Sequence, residues 1–103
     1  MSFIYDCLNG DALINEIDEY VERWSNGIDG LNQELHEYLG MDWDEYKLWG
    51  TRPSILPVII RARRNRVSLD KELNKERLSL AARAENKEEA EKLTVWLKQI
   101  GKI

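Results

Sequence analysis

Six glycines and two prolines cut this chain into short pieces, and that punctuation limits the fold more than any other feature. Gly10, Gly27, Gly30, Gly40 and Gly50 all fall in the first fifty residues, so a helix there has room for about four turns at most. Between these stops, apolar residues recur at spacings of three and four, the period of an amphipathic helix. Leu13, Ile17, Tyr20, Val21 and Trp24 form one such stripe after the turn signal Asn9-Gly10-Asp11, and Ser25-Asn26-Gly27 with Asp29-Gly30 closes it. Leu31, Leu35, Tyr38 and Leu39 predict a second helix over residues 31–39, ended by Gly40. Asp42, followed three residues later by Glu45, has the spacing of a capping box. It predicts a third helix over residues 43–49, with Tyr46 and Trp49 inward and Gly50 as its stop.

Pro53, Ser54 and Pro57 mark a new start, because proline is tolerated in a first helical turn and not deeper. A fourth helix then runs through Ile59 and Ile60 into the arginines. From Val67 to Ala84 two periods compete. Leu69, Leu73, Leu80 and Ala84 share a helical stripe, whereas Leu78, Leu80, Ala82 and Ala84 alternate with Arg77, Ser79, Ala81 and Arg83, and Leu78 falls off the stripe. This favours a strand or short β-hairpin near residues 66–84, turning at Leu73-Asn74-Lys75. A last helix is expected from a cap at Asn86 with Glu89, carrying Ala90, Leu93, Leu97 and Ile100 on one face and ending at Gly101.

These segments predict a mainly α chain: a single domain over residues 1–103, built as a compact bundle of four to five short helices. At 103 residues and 43% apolar composition, the chain is large enough for one modest core. Its longest apolar run, residues 55–60, falls far short of the roughly 18 residues that cross a bilayer, and it contains Pro57. The opening Met-Ser-Phe-Ile-Tyr-Asp-Cys has no secretory signal pattern, so no membrane association and a cytoplasmic location are expected. Cys7 is the sole cysteine and reads as a small buried hydrophobe.

The net charge of −4 conceals a strong polarity. Residues 1–50 hold twelve acids against Arg23 and Lys47, a net of −10, while residues 51–103 hold thirteen bases against seven acids, a net of +6. The two halves can face each other within a monomer or across a homodimer, or one of them can meet a partner of opposite sign. Arg61, Arg63, Arg64 and Arg66 concentrate the basic charge and suit nucleic-acid phosphates or an acidic partner. At the end of a helix they would also complement its dipole.

Residues 35–49, LHEYLGMDWDEYKLW, resemble a helix-turn-helix of the phage-repressor type. Leu35 and Leu39 occupy the packing positions of the first helix, Gly40 the turn, Met41 the apolar plug and Asp42 the cap of the second helix. The resemblance implies that Trp43, Asp44, Glu45 and Lys47 occupy the positions that meet DNA. Two carboxylates there oppose a polyanion, so a basic protein face is the better fit. The Leu-His-Glu-Tyr-Leu-Gly stretch is also similar to short bacterial proteins of mobile elements or toxin–antitoxin loci, which implies an antitoxin-like or phage-derived setting.

Constellations for catalysis are missing from the pattern. His36 is the only histidine, reads as a solvated side chain on a helix, and is remote in sequence from Cys7. Glu34, His36 and Glu37 lack the Glu-x-x-His spacing of a helical metal site, and no glycine loop suits a phosphate. No enzyme activity, metal or cofactor is expected. The leading expectation is a protein-binding regulator or inhibitor that uses Glu16, Glu19, Trp43, Asp44 and Glu45 to cover a basic site on a partner protein. The alternative is a small DNA-binding transcriptional regulator that contacts phosphates through Arg61, Arg63, Arg64 and Arg66.

Overall fold

The computed structural model describes residues 2–83, 85 and 87–102. Its order is α1 (Phe3–Asn9), a 3-10 turn (Ile14–Glu16), α2 (Ile17–Ser25), α3 (Leu35–Leu39), α4 (Trp43–Thr51), a second 3-10 turn (Pro53–Ile55), α5 (Leu56–Asn65), α6 (Leu69–Ala81) and α7 (Lys87–Gln99). The fold is mainly helical, and among the described residues there is no strand. Among the described residues there are seven α-helices in place of the four to five expected.

The additional elements come from two sources. α1 has only seven residues, too few to establish a period. It is held by local capping: Ser2 Oγ accepts from Tyr5 N at 3.1 Å, and Gly10, at φ 81°, closes the C-terminus. The expected hairpin near 66–84 is overturned by α6, which starts when Ser68 Oγ accepts from Lys71 N at 3.2 Å. Leu78 falls off the helical stripe because it faces solvent, with about half its surface exposed, whereas Leu73 is deeply buried. Ala84, the last residue of the expected alternation, and the expected cap at Asn86 lie outside the described residues.

By backbone contacts the chain divides into two compact units, residues 1–60 and 61–103. In the first, Phe3, Ile4 and Cys7 on α1 are buried, as are Ile17 on α2, Tyr38 and Leu39 on α3, Met41, and Leu48 on α4. The long expected helix over residues 13–24 is shortened: a 3-10 turn precedes α2, and Leu13 is largely exposed. The expected 31–39 helix begins only at Leu35, leaving Leu31 78% exposed. Gly50 does not stop α4, which continues to Thr51, where the Thr51 hydroxyl donates to the Lys47 carbonyl at 2.9 Å. In the second unit α6 packs on α7, and Leu73, Ala90, Leu93 and Leu97 are buried. As expected, Gly101 follows α7, at φ 77°.

Candidate functional site

α3 and α4 are joined by Gly40, Met41 and Asp42, and local geometry makes each boundary sharp. Gly40 sits at φ 84°, and a Cβ there would lie 2.7 Å from Ser2 Cβ, so only glycine fits. The capping box forms as the spacing predicts: Glu45 N donates to Asp42 Oδ1 at 2.8 Å, and Asp42 N donates to Glu45 Oε1 at 2.9 Å. Glu45 is therefore buried and its carboxylate is engaged in the cap.

The same cap turns Trp43 outward. Its indole is 55% exposed, and beside it lie the His36 ring at 5.3 Å between centroids and the Tyr46 ring at 5.6 Å. Tyr46 in turn stacks toward Trp49 at 6.1 Å. His36 is thus folded into an aromatic row instead of standing in solvent, and its Nδ1 is 3.5 Å from Glu34 Oε2. Trp24, Glu34, Leu35, His36, Trp43 and Tyr46 line a shallow cleft of about 260 Å³. Trp24 is fixed by its Nε1, which donates to the Gln33 carbonyl at 2.8 Å. Glu34, His36 and Glu37 bring ligand-type atoms within 4.8 Å of one another, and Glu37 Oε1 also accepts from Glu34 N at the start of α3.

The expected acidic surface is only partly assembled. Asp44 is exposed next to Trp43, and Glu19 is exposed on α2. Glu16 and Glu19 lie eight and five residues before Trp24, more than one helical turn from the α2 residue that reaches the cleft. Of the arginines, Arg63, Arg64 and Arg66 are exposed around the end of α5. Arg61 is bound into its own unit: its Nε lies 3.4 Å from Glu72 Oε1, and its terminal nitrogen donates to Glu76 Oε2.

A second cleft, of about 420 Å³, escaped sequence reasoning. Ser2, Asp6, Tyr20, Arg23, Asp29, Gly30, Gln33 and Tyr38 line it. Tyr20 donates its hydroxyl to Asp6 Oδ2 at 2.7 Å, and Tyr38 donates to Asp29 Oδ2 at 3.3 Å. The Arg23 guanidinium lies 5.5 Å from the Tyr20 ring centroid and 3.8 Å from Asp29 Oδ2. Burial, and then the bond to Asp6, push the Tyr20 phenol up to about 12. Tyr38 is raised by burial and by the Asp29 charge. Both tyrosines were expected as inward, apolar stripe residues. The available signal was that a buried tyrosine hydroxyl needs a partner, and the surrounding acids supply one. Comparison with family models, with curated proteins and with solved structures returns no match for this chain.

Proposed function

We propose that the chain is a non-enzymatic regulator or inhibitor, antitoxin-like or phage-derived, whose acidic first unit covers a basic face of a partner protein. The observation that supports this most is Trp43, a large aromatic side chain left more than half exposed at the mouth of a cleft and flanked by Asp44 and Glu34. An exposed aromatic anchor within a polar rim is a common energetic centre of protein interfaces. Around it, residues 1–60 carry twelve acids against three bases, a net of −9 that favours encounter with a basic surface. The α3–α4 pair serves as a scaffold of helix-turn-helix type in this reading. Glu45 acts as its cap and Trp43 with Asp44 as its contact residues.

The test is to isolate the partner from the native host and measure its affinity for the purified chain and for a Trp43→Ala, Asp44→Lys variant. Both positions are exposed, so the variant should fold. At least a tenfold loss of affinity is expected, about 1.4 kcal/mol or more. Unchanged binding by the folded variant would discard the surface.

A second reading, DNA binding, draws on Arg66. It holds the left-handed C-terminal position of α5 at φ 55°, where glycine is ordinarily favoured, and stands beside exposed Arg63 and Arg64. It predicts a salt-steep complex with the chain's own promoter region. Absence of a retarded band at low salt rules it out.

A further inference from the structure

The cleft between α1, α2 and α3 has a chemistry that the exposed aromatic row does not share. Its lining contains two carboxylates and one guanidinium, a net formal charge of −1. The Tyr20 and Tyr38 hydroxyl protons already point at Asp6 and Asp29. What the cleft offers a visitor is therefore carboxylate acceptor capacity between two aromatic rings, whose centroids are 6.3 Å apart. A carboxylate that accepts one phenol proton retains further lone-pair sites. An anion would meet Asp6 and Asp29 with only Arg23 to offset them.

Arg23 shows what fits. Its guanidinium stands over the Tyr20 ring and near Asp29, the two contacts that aromatic faces and carboxylates give a planar cation. Yet the pair is long at 3.8 Å, and both side chains are about half exposed. Such a contact contributes little and is open to competition. Gly30, at φ 68°, lets the Tyr38 ring of the cleft wall pack against the backbone, since a Cβ there would stand 2.7 Å from Tyr38 Cδ1 and 3.0 Å from Trp24 Cδ1. The cleft volume of about 420 Å³ lies within the usual range of small-ligand sites, roughly 300–1,000 Å³.

We propose that the Asp6–Tyr20–Asp29–Tyr38 cleft is a subsite for an arginine side chain of a basic partner, whose guanidinium pairs with Asp29 and Asp6 while lying against the tyrosine rings. This rests on the reading of the first unit as a surface for a basic protein. Arg23 is the chain's own occupant of part of the subsite, and the incoming guanidinium displaces it from Asp29. A forked guanidinium can engage a carboxylate with two parallel hydrogen bonds, a geometry the 3.8 Å Arg23 contact lacks.

The probe is arginine blocked at both termini, titrated into the full chain while the Tyr20 and Tyr38 ring resonances are followed. Saturable shifts of both rings are expected. Blocked lysine should bind at least about threefold more weakly for want of the fork, and blocked norleucine should leave the rings unmoved. Asp29→Asn should weaken arginine binding about three- to tenfold, whereas Arg23→Ala should strengthen it by a similar factor by removing a like charge and vacating Asp29. Both substitutions are at partly exposed side chains, and native-like amide spectra establish that each variant folds. No saturable shift, equal binding of lysine, or weaker binding by Arg23→Ala overturns the assignment. So does a response to inorganic phosphate that Arg23→Ala abolishes, which would make this an anion site. If the cleft is silent while Trp43→Ala, Asp44→Lys still impairs partner binding, the subsite alone fails. If arginine binds while that variant holds its partner normally, the Trp43 surface alone fails.

Discussion

Replacing Arg61 by methionine tests whether this arginine belongs to the fold or to a nucleic-acid surface. The side chain of Glu72 is 5% exposed, and Arg61 Nε faces it at 3.4 Å, while another guanidinium nitrogen bonds Glu76. At an effective dielectric of about 20, unit charges near 4 Å attract by about 4 kcal/mol. Arg61 is 42% exposed and Glu76 is partly exposed, so solvent screening reduces the recoverable part to about 2 kcal/mol. Methionine keeps the apolar stem and removes the charge, leaving Glu72 buried without it. Arg61→Met should therefore destabilise by about 2 kcal/mol and lower the melting temperature by roughly 10 °C. The assay is urea denaturation followed by far-ultraviolet circular dichroism, run as a cycle with Glu72→Met and the double variant. The double variant should regain at least half of the loss, since apolar residues often replace a buried ion pair at little cost. An Arg61→Met chain within about 0.5 kcal/mol of the parent, or a cycle with no coupling, would refute the structural assignment.

Two further outcomes follow from local geometry. Arg66→Gly should raise stability by about 0.5–1 kcal/mol, because a non-glycine residue at φ 55° is strained by contact of its Cβ with its own backbone; the urea midpoint reads this directly. Burial first, and then the bond to Asp6, push the Tyr20 phenol up to about 12 against about 10 in an unfolded chain, so the stability of the protonated, bonded phenol is fully present below pH ~10 and is lost as pH rises through ~12. Tyr20→Phe should be less stable at neutral pH by about 1–2 kcal/mol and should show a shallower decline between pH ~10 and ~12, as measured by denaturation midpoints across that window.

Much of the local architecture was legible in the sequence because its causes lie within three or four residues. The Asp42–Glu45 box, Gly40 at the end of α3, the proline start before α5 and the Ala90, Leu93, Leu97 face of α7 each follow from backbone groups that a neighbouring side chain satisfies or from a repeat of one helical turn. Periodicity was least informative where a helix is only half wetted. Residues 78–84 read as alternating because Leu78 lies off the apolar stripe and faces water; on the same helix Glu72, a charged residue, is buried, and Arg61 on α5 is what makes that burial tolerable.

The Tyr20–Tyr38 cleft and the Arg61 ion pairs depend on contacts between distant residues. Asp6 and Tyr20 are fourteen positions apart, and Arg61 and Glu76 fifteen. No spacing rule couples such pairs, since the packing of helices decides which acid meets which phenol or guanidinium. By itself the sequence determined a short-helix chain with an acidic first half and capped boundaries, because those properties are local or additive. Only the tertiary structure decided that Trp43 faces outward, that Arg61 is an internal ion-pair partner, and that Tyr20 and Tyr38 turn their hydroxyls toward two carboxylates in one cleft. Those outcomes depend on which faces remain after the core has closed.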